Sequence, residues 1–205
     1  MNIDIGSALI NVALFWILTT PHEFAHAWAA TRLGDDTPRK EGRLTLNPLA
    51  HVDWLGTVLL PAVTSLFGAG FLGWGKPVST DVSRLKGRWN GLAAVALAGP
   101  ASNVVLAFMF GIAAHALAVA HNQFAGAALH ASVLSMYLAL FNLIPVPPLD
   151  GSRLLLAARL PAFIYEELAR FGFVLLVLAF GASGLGRWLA ELSWTGTSAI
   201  MALFG

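Results

Sequence analysis

The feature that most restricts this chain is a segment, from Trp89 to Leu149, that contains no charged residue. A transmembrane helix needs about 20 apolar residues, so this segment has room for two spans. The polar residues at 121–123 mark the turn between the two spans. Across the whole chain only 11% of the residues are charged, against about 25% in an ordinary soluble domain. The sequence therefore predicts an integral membrane protein.

Other charge-poor segments predict the remaining spans. Together with the long uncharged segment they place membrane helices at about 4–31, 90–120, 126–145, 166–184 and 188–204. The chain has no internal repeat and no linker long enough to separate domains, so we expect a single domain over residues 1–205. The predicted fold is an all-α, polytopic helix bundle of about five to six membrane segments.

The basic residues predict the direction of the spans, because Lys and Arg collect on the cytoplasmic side of a membrane. Ten of the twelve form three groups, which are Arg32, Arg39, Lys40 and Arg43, then Lys76, Arg84, Lys86 and Arg88, then Arg153 and Arg159. If all three groups are cytoplasmic, the N-terminus lies outside and the first span runs inward. The sequence thus predicts a multi-pass protein of a cytoplasmic membrane.

The apolar segment at 55–72 lies between the first two basic groups and is predicted to enter the membrane without crossing it. A crossing would carry one basic group to the outside. Pro61 and two glycines interrupt the segment, and Trp54 and Trp74 bracket it like two anchors at one interface. We therefore expect a re-entrant element here.

The first predicted span contains the sequence His22-Glu23-Phe24-Ala25-His26, which is an H-E-x-x-H motif. Two histidines at positions i and i+4 of a helix project from one face, so both imidazoles can bind one metal ion. Glu23 lies beside them, where it can take a proton from a metal-bound water. A carboxylate inside an apolar span is costly and marks a functional site.

A catalytic zinc usually has three protein ligands, so a third is needed. The chain has no cysteine, which leaves oxygen and imidazole ligands, and the candidates are Asp35, Asp36, Glu41, His51, Asp53 and Asp150. Asp150 is favoured because it ends the uncharged segment, directly after three prolines that break a membrane helix. Irregular backbone at membrane depth is tolerated only against protein or a wet cavity. Capping of the following helix is the alternative role for Asp150.

Two other functions fit parts of the sequence. Gly181-Ala182-Ser183-Gly184 matches the serine motif of rhomboid proteases, but no histidine follows His130 to serve as its base. A small metal carrier would explain intramembrane histidines, but it has no need of Glu23 between two ligands. Nucleic-acid binding is not expected, since the net charge is +1 and the basic residues form no large patch.

The motifs taken together resemble the site-2 protease family of intramembrane zinc metalloproteases, in its compact bacterial branch. HEFAH is similar to that family's H-E-x-x-H, and the segment 142–151, NLIPVPPLDG, is similar to its N-x-x-P-x-P-x-x-D-G signature. Gly99-Pro100-Ala101-Ser102-Asn103 resembles a third element, G-P-x-x-N. No inserted PDZ domain and no nucleotide-binding domain accompany these motifs.

The resemblance implies a role for each matched residue. His22, His26 and Asp150 would bind one catalytic Zn²⁺, and Glu23 would be the general base and then the general acid for a zinc-activated water. Asn142 would steady the substrate carbonyl. A short β-hairpin near the active site is also implied, as an edge on which an unwound substrate helix could pair.

The resemblance further implies that the chain is an endopeptidase that cleaves transmembrane segments of other membrane proteins, in regulated intramembrane proteolysis. Its partners would be a transmembrane protein or peptide substrate and the lipid bilayer. The expected location is a bacterial cytoplasmic membrane, with the active site towards the cytoplasm. His51, Asp53 and Asn103 are further polar residues that could reach the zinc cavity, or that could serve only as interfacial groups and interhelical hydrogen bonds.

Overall fold

The computed structural model describes residues 5–67, 73–182 and 184–204. Helices occupy all five predicted span segments, with boundaries within a few residues of those expected. The eight α-helices of the described chain are α1 (Ile5–Arg32), α2 (Thr37–Lys40), α3 (Leu60–Phe67), α4 (Trp89–Val119), α5 (Ala125–Asn142), α6 (Asp150–Ala157), α7 (Ala162–Ala182) and α8 (Leu185–Ala202). A 3₁₀ turn at Pro48–His51 and a π-helical turn at Trp54–Leu59 precede α3.

Helix α4 is the centre of the bundle and packs against α1, α5, α6 and α8. Small residues let these helices approach closely: a Cβ at Gly111 would meet Ile200 Cγ2 of α8 at 2.9 Å. Hydroxyl groups add interhelical hydrogen bonds, as in membrane bundles. Ser132 of α5 donates to the Ala107 carbonyl at 2.7 Å, and Ser135 donates to the Asn103 carbonyl at 2.9 Å.

Two of these helices meet the length and composition expected of a membrane span. They are α4 and α5, and α7 with α8 adds a third if that bent pair forms one span. Both α4 and α7 expose apolar side chains that water would not favour, among them Val105 and Met109 on α4 and Val174 and Leu178 on α7. The described chain is therefore an all-helical membrane protein.

The residues that flank the segment 37–80 lie together at the C-terminal end of α1. The Lys86 N–H donates to the Leu33 carbonyl at 2.8 Å, and the Asp81 N–H donates to the Asp35 carboxylate at 2.7 Å. Asp35 is fully buried in this contact. The chain thus leaves the end of α1 and returns to the same place before α4 begins.

No β-strand is found in the described chain, so the expected hairpin near the active site is not seen there. Residues 73–80 have no regular secondary structure, and several of their backbone groups bond to partners other than a strand. The Trp74 and Lys76 N–H groups donate to the Gly56 and His51 carbonyls at 3.0 and 2.9 Å, and Pro77 has no N–H to donate. Part of the predicted re-entrant segment, residues 68–72, lies outside the described residues.

His51 is the last residue of the 3₁₀ turn and lies in the segment predicted to be cytoplasmic. Its burial leads to a prediction about the pH dependence of stability. It is 2% exposed and its Nε2 lies 2.9 Å from the Thr45 carbonyl. Burial lowers the pKa of His51 from its usual 6.5. The hydrogen bond to Thr45 acts to raise this pKa, and the nearby charge of Arg43 acts to lower it. The unfolded chain therefore binds a proton more readily than the folded one, so stability is full above about pH 6.5 and falls below it.

When the pH is lowered from about 7.5 to 5.5, we expect the melting temperature in detergent to fall further for the wild type than for His51→Gln. Gln does not titrate, and its amide can still donate to the Thr45 carbonyl. His121→Gln, in an exposed turn, is the matched control and should behave like the wild type. Equal falls in the wild type and in His51→Gln would contradict the prediction.

Candidate active site

Helix α1 carries the H-E-x-x-H motif on its buried face. His22, Glu23 and His26 are 3%, 5% and 1% exposed. One helical turn separates the two histidines, and their Nε2 atoms lie 3.0 Å apart. The spacing of the motif thus places both imidazoles at a single point between α1 and α4.

Asp150 reaches the same point from the other end of the chain. It is the first residue of α6, and its backbone follows the proline-rich turn after α5. Its Oδ2 atom lies 3.0 Å from His22 Nε2 and 3.1 Å from His26 Nε2. One potential ligand atom from each of the three residues therefore lies within 4.8 Å of the others.

The hydrogen bonding of this cluster fits a metal ion. The Nδ1 atom of His26 lies 2.7 Å from the Val95 carbonyl, and a carbonyl only accepts, so the proton of neutral His26 is on Nδ1. Its bare Nε2 then faces the Asp150 oxygen, and two acceptors at 3.1 Å repel unless a cation lies between them. Two imidazole nitrogens and one carboxylate oxygen form a donor set typical of a catalytic zinc site.

Gly99 of α4 forms the floor beneath the two histidines. A Cβ at this position would clash with His26 Nε2 and would lie 2.6 Å from His22 Nε2. The glycine of the G-P-x-x-N element therefore makes room for the imidazoles.

Glu23 lies in a small pocket next to the cluster. Its Oε2 atom is buried and has no hydrogen-bond partner among the described residues. Gly75 packs against it, since a Cβ there would meet the Glu23 carboxylate and would lie 2.8 Å from Thr19 Cγ2. The pocket has a volume of about 20 Å³, which is room for about one water molecule. A carboxylate beside a site for one water can take and return a proton.

Two asparagines line the same pocket with different hydrogen bonding. Asn142 Nδ2 donates to the Leu138 carbonyl of its own helix at 2.9 Å. Asn103 is 1% exposed, and neither its Nδ2 nor its Oδ1 has a partner in the described chain. A buried amide without partners is costly, and this one lines the pocket beside Glu23. The G-P-x-x-N resemblance and the position of Asn103 as a polar residue inside a span both pointed to it in the sequence.

Two arginines near the site were treated in the sequence as topology signals only. The buried guanidinium of Arg43 donates to the carbonyls of Ala50, Lys76 and Pro77. These bonds hold the segment 73–80 in place beside Glu23. Arg153 donates to the Val78 carbonyl at 3.0 Å and lines the catalytic pocket. The signal that could have found Arg153 is its spacing, since it follows Asp150 by one helical turn.

The other candidate ligands lie elsewhere. Glu41 is exposed at the end of α2, and Asp35 holds the backbone at Thr37 and Asp81. Asp53 accepts the Gly56 N–H at 2.8 Å and caps the π-helical turn, while His51 bonds to Thr45. Neither His51 nor Asp53 lines the catalytic pocket. The pocket thus brings together His22, Glu23, His26, Asp150 and Asn142 from the sequence-predicted set.

Together the fold and this cluster define a class of protein, a metallopeptidase embedded in a membrane. Comparison with known proteins supports this class. The family model described as Peptidase family M50 matches residues 109–179, which include Asn142 and Asp150. "Putative zinc metalloprotease YwhC" of Bacillus subtilis is 35% identical over 198 residues, with 90% of this chain and 86% of that relative covered.

Two mycobacterial relatives have the name "Putative zinc metalloprotease Rip2". The one from Mycolicibacterium smegmatis is 31% identical, with 92% of this chain and 73% of the relative covered. The one from Mycobacterium tuberculosis is 32% identical, with 89% and 71% covered. No solved structure gives a significant match.

The chain belongs to Peptidase family M50, and the resemblance to site-2 proteases of the compact bacterial type is confirmed. It is accordingly a hydrolase of the metalloprotease class. The names of the relatives and the cluster of His22, His26 and Asp150 both support Zn²⁺ as its cofactor.

The contact between Gly99 and the histidines gives a prediction. In Gly99→Ala the added methyl group must displace both imidazoles, so we expect the zinc content of the purified protein to fall well below one ion per chain. Gly126→Ala is the matched control, because a Cβ at Gly126 meets nothing within 4 Å, and it should keep its zinc. Both variants are measured by elemental analysis after dialysis. Full zinc occupancy in Gly99→Ala would place the metal away from these histidines.

Proposed function

We propose that this chain is a zinc-dependent intramembrane endopeptidase that cleaves transmembrane segments of other membrane proteins. The observation that carries the proposal is the convergence of three buried potential ligand atoms, from His22, His26 and Asp150, beside the buried Oε2 of Glu23, which has no partner among the described residues. This group lies among helices whose outer faces are apolar, so a substrate reaching it would come from the bilayer.

In this proposal His22, His26 and Asp150 hold the metal. Zinc bound there supplies a Lewis acid that polarises the scissile carbonyl and lowers the pKa of water towards about 7. The tautomer of His26 is set by its hydrogen bond to Val95, and such an outer contact orients a ligand imidazole.

Glu23 moves the proton. It removes one proton from the attacking water as the new C–O bond forms at the scissile carbonyl. It then gives that proton to the amide nitrogen as the C–N bond breaks, so that the products are a carboxylic acid and an amine. Transfer of the remaining acid proton to the amine then gives a carboxylate and an ammonium group. The pocket volume of about 20 Å³ supports a single attacking water.

The two asparagines of the pocket are proposed to bind the substrate carbonyl as negative charge develops on its oxygen. The residue that matches Asn142 has this role in the family. The Nδ2 of Asn142 has two hydrogens, and only one of them is needed for the bond to the Leu138 carbonyl, so the other can donate to the substrate. The amide of Asn103 has no partner among the described residues. Donors aimed at a developing oxyanion lower the barrier most when they are already in place.

The proposed topology has five to six membrane segments, which are α1, α4, α5, α7 and α8 with a re-entrant element between α1 and α4. The hydrogen bonds that join Leu33 to Lys86 and Asp35 to Asp81 support the re-entrant element. They hold the two basic groups on either side of it at one end of the molecule. By the distribution of basic residues that end is cytoplasmic, and the protein belongs to the cytoplasmic membrane of a bacterium.

The first test separates metal binding from proton transfer. We expect Glu23→Gln to keep one zinc per chain and to lose cleavage of a model transmembrane peptide by several orders of magnitude, because the ligands remain and the base does not. Removal of His22, His26 or Asp150 should lower the zinc content instead. Glu41→Gln, an exposed residue outside the pocket, is the control for an ordinary carboxylate. Full zinc in Asp150→Ala, or cleavage by Glu23→Gln, would refute the assigned roles.

The second test concerns the asparagines. We expect Asn103→Ala and Asn142→Ala each to lower kcat, by on the order of a hundredfold for a lost oxyanion donor, with little change in melting temperature. Asn90→Ala, on the exposed first turn of α4, should leave both values unchanged. A fall in melting temperature that parallels the fall in activity would assign the asparagine a packing role.

The third test concerns topology. The chain has no cysteine, so single cysteines at Thr37 and Ser83 can be labelled in intact cells with a membrane-impermeant reagent. We expect neither position to be labelled until the cells are opened, because both lie on the cytoplasmic side. Labelling of only one position from outside would mean that the segment 55–72 crosses the membrane.

A further inference from the structure

A larger cavity adjoins the catalytic pocket and has no part in the chemistry described above. Its volume is about 410 Å³, and it shares Pro77 and Arg153 with the catalytic pocket. Residues that follow Pro77 form one wall of the cavity, and α4, α6 and α7 form the others. Its lining includes Thr80, Trp89, Leu92, Arg153, Leu156 and Tyr165.

Arg153 presents an unsatisfied donor at the boundary of the two spaces. Its Nη2 donates to the Val78 carbonyl at 3.0 Å, which fixes the guanidinium, while its Nη1 is buried without a hydrogen-bond partner in the described chain. No ion pair joins Arg153 to a carboxylate of the described residues. Arg153 as a whole is half-buried, but a buried N–H without a partner is costly, so a ligand that pairs with it would be bound favourably.

Thr80 adds a second group of the same kind. Its Oγ1 lies in the wall of the same cavity and is also buried without a partner in the described part of the chain. No acidic side chain of the described residues lines the cavity, and the neighbouring Glu166 and Glu167 are exposed. Two side chains with donor groups thus line the cavity, while the nearest carboxylates, Glu23 and Asp150, line the adjoining catalytic pocket. A guanidinium binds a carboxylate more strongly than a neutral acceptor, and in a planar geometry that suits it.

The remaining walls of the cavity are apolar and could contact the methylene groups of a substrate side chain. Trp89, Leu92, Leu156 and Tyr165 give the cavity an apolar and aromatic lining around its two donors. The neighbouring cavity, at about 410 Å³, is of the size that binds small ligands, whereas the catalytic pocket has a volume of about 20 Å³. A substrate segment lying across Glu23 would therefore place an adjacent residue in the larger cavity.

We propose that this cavity is a specificity subsite that binds a carboxylate of the peptide substrate through Arg153 and Thr80. The proposal rests on the proposed function, since it names a feature of the peptide that the enzyme would cleave. The carboxylate has two possible sources, which are an acidic side chain close to the scissile bond and the α-carboxylate that cleavage creates on the product. The same guanidinium would bind either one.

The test measures binding with a protein that cannot cleave. The full-length Glu23→Gln chain, in detergent and loaded with zinc, is titrated against fluorescein-labelled peptides of Ala and Leu with both ends blocked. The peptides differ only in one central Glu, Gln or Lys, and a fourth peptide lacks a polar residue but has a free C-terminal carboxylate. We expect the Glu peptide to bind at least tenfold more tightly than the Gln peptide, with the Lys peptide weakest. A matching preference for the fourth peptide over its amidated form would identify the product carboxylate as the ligand.

Variants in the same background locate the preference. Arg153→Met should remove the difference between the Glu and Gln peptides, and Arg153→Lys should keep part of it because the charge remains. Thr80→Val should weaken the Glu peptide several-fold and leave the order of the peptides unchanged. Arg159→Met removes an exposed cation that does not line the cavity and should change nothing. Zinc content and melting temperature show that each variant is folded.

The proposal is overturned if neither carboxylate source is preferred over its neutral counterpart, if no peptide binds, or if the preference survives in folded Arg153→Met. Because the binding host is inactive, these results do not depend on proteolysis. If the wild type cleaves normally but no carboxylate is preferred, the subsite is refuted and the proposed function is not. If a carboxylate is preferred but the wild type cleaves nothing, the proposed function is refuted and carboxylate binding is not.

Discussion

The convergence of three potential metal ligands is the constraint on which the site depends. His22, His26 and Asp150 bring two nitrogens and an oxygen to within about 3 Å of one another, and a metal ion bound between them would stabilise that arrangement. The three residues come from distant parts of the chain, so the packing of α1 and α6 against α4 has to be accurate. Gly99 beneath the imidazoles and the carbonyl of Val95 beside them are part of the same requirement.

Local sequence was sufficient to predict the centre of the site. H-E-x-x-H fixes two imidazoles and a carboxylate through helix geometry alone, and Asp150 was identified because its charge follows prolines at the end of a long uncharged segment. The helices themselves followed from the charge-poor segments.

The surroundings of the site could not be predicted in the same way, because they depend on contacts between distant residues. Arg43 and Arg153 were interpreted as charges that set the orientation of the protein in the membrane. Both guanidinium groups instead bind carbonyls of the segment 73–80, which lies near Glu23. The expected hairpin is not seen in the described residues for the same reason: arginine side chains and loop carbonyls occupy backbone groups that a partner strand would use. No spacing rule relates Arg43 to Pro77.

The hydrogen bonds that close the segment between α1 and α4 at its base have a consequence for how such proteins can diverge. Leu33 with Lys86, and Asp35 with Asp81, join the two ends of a long excursion at one place. Once a loop is closed, doubling its length costs only about 0.6 kcal/mol in chain entropy. Insertions or deletions near the tip of this excursion would therefore be tolerated, while the base, and with it the geometry around the zinc ligands, would stay the same.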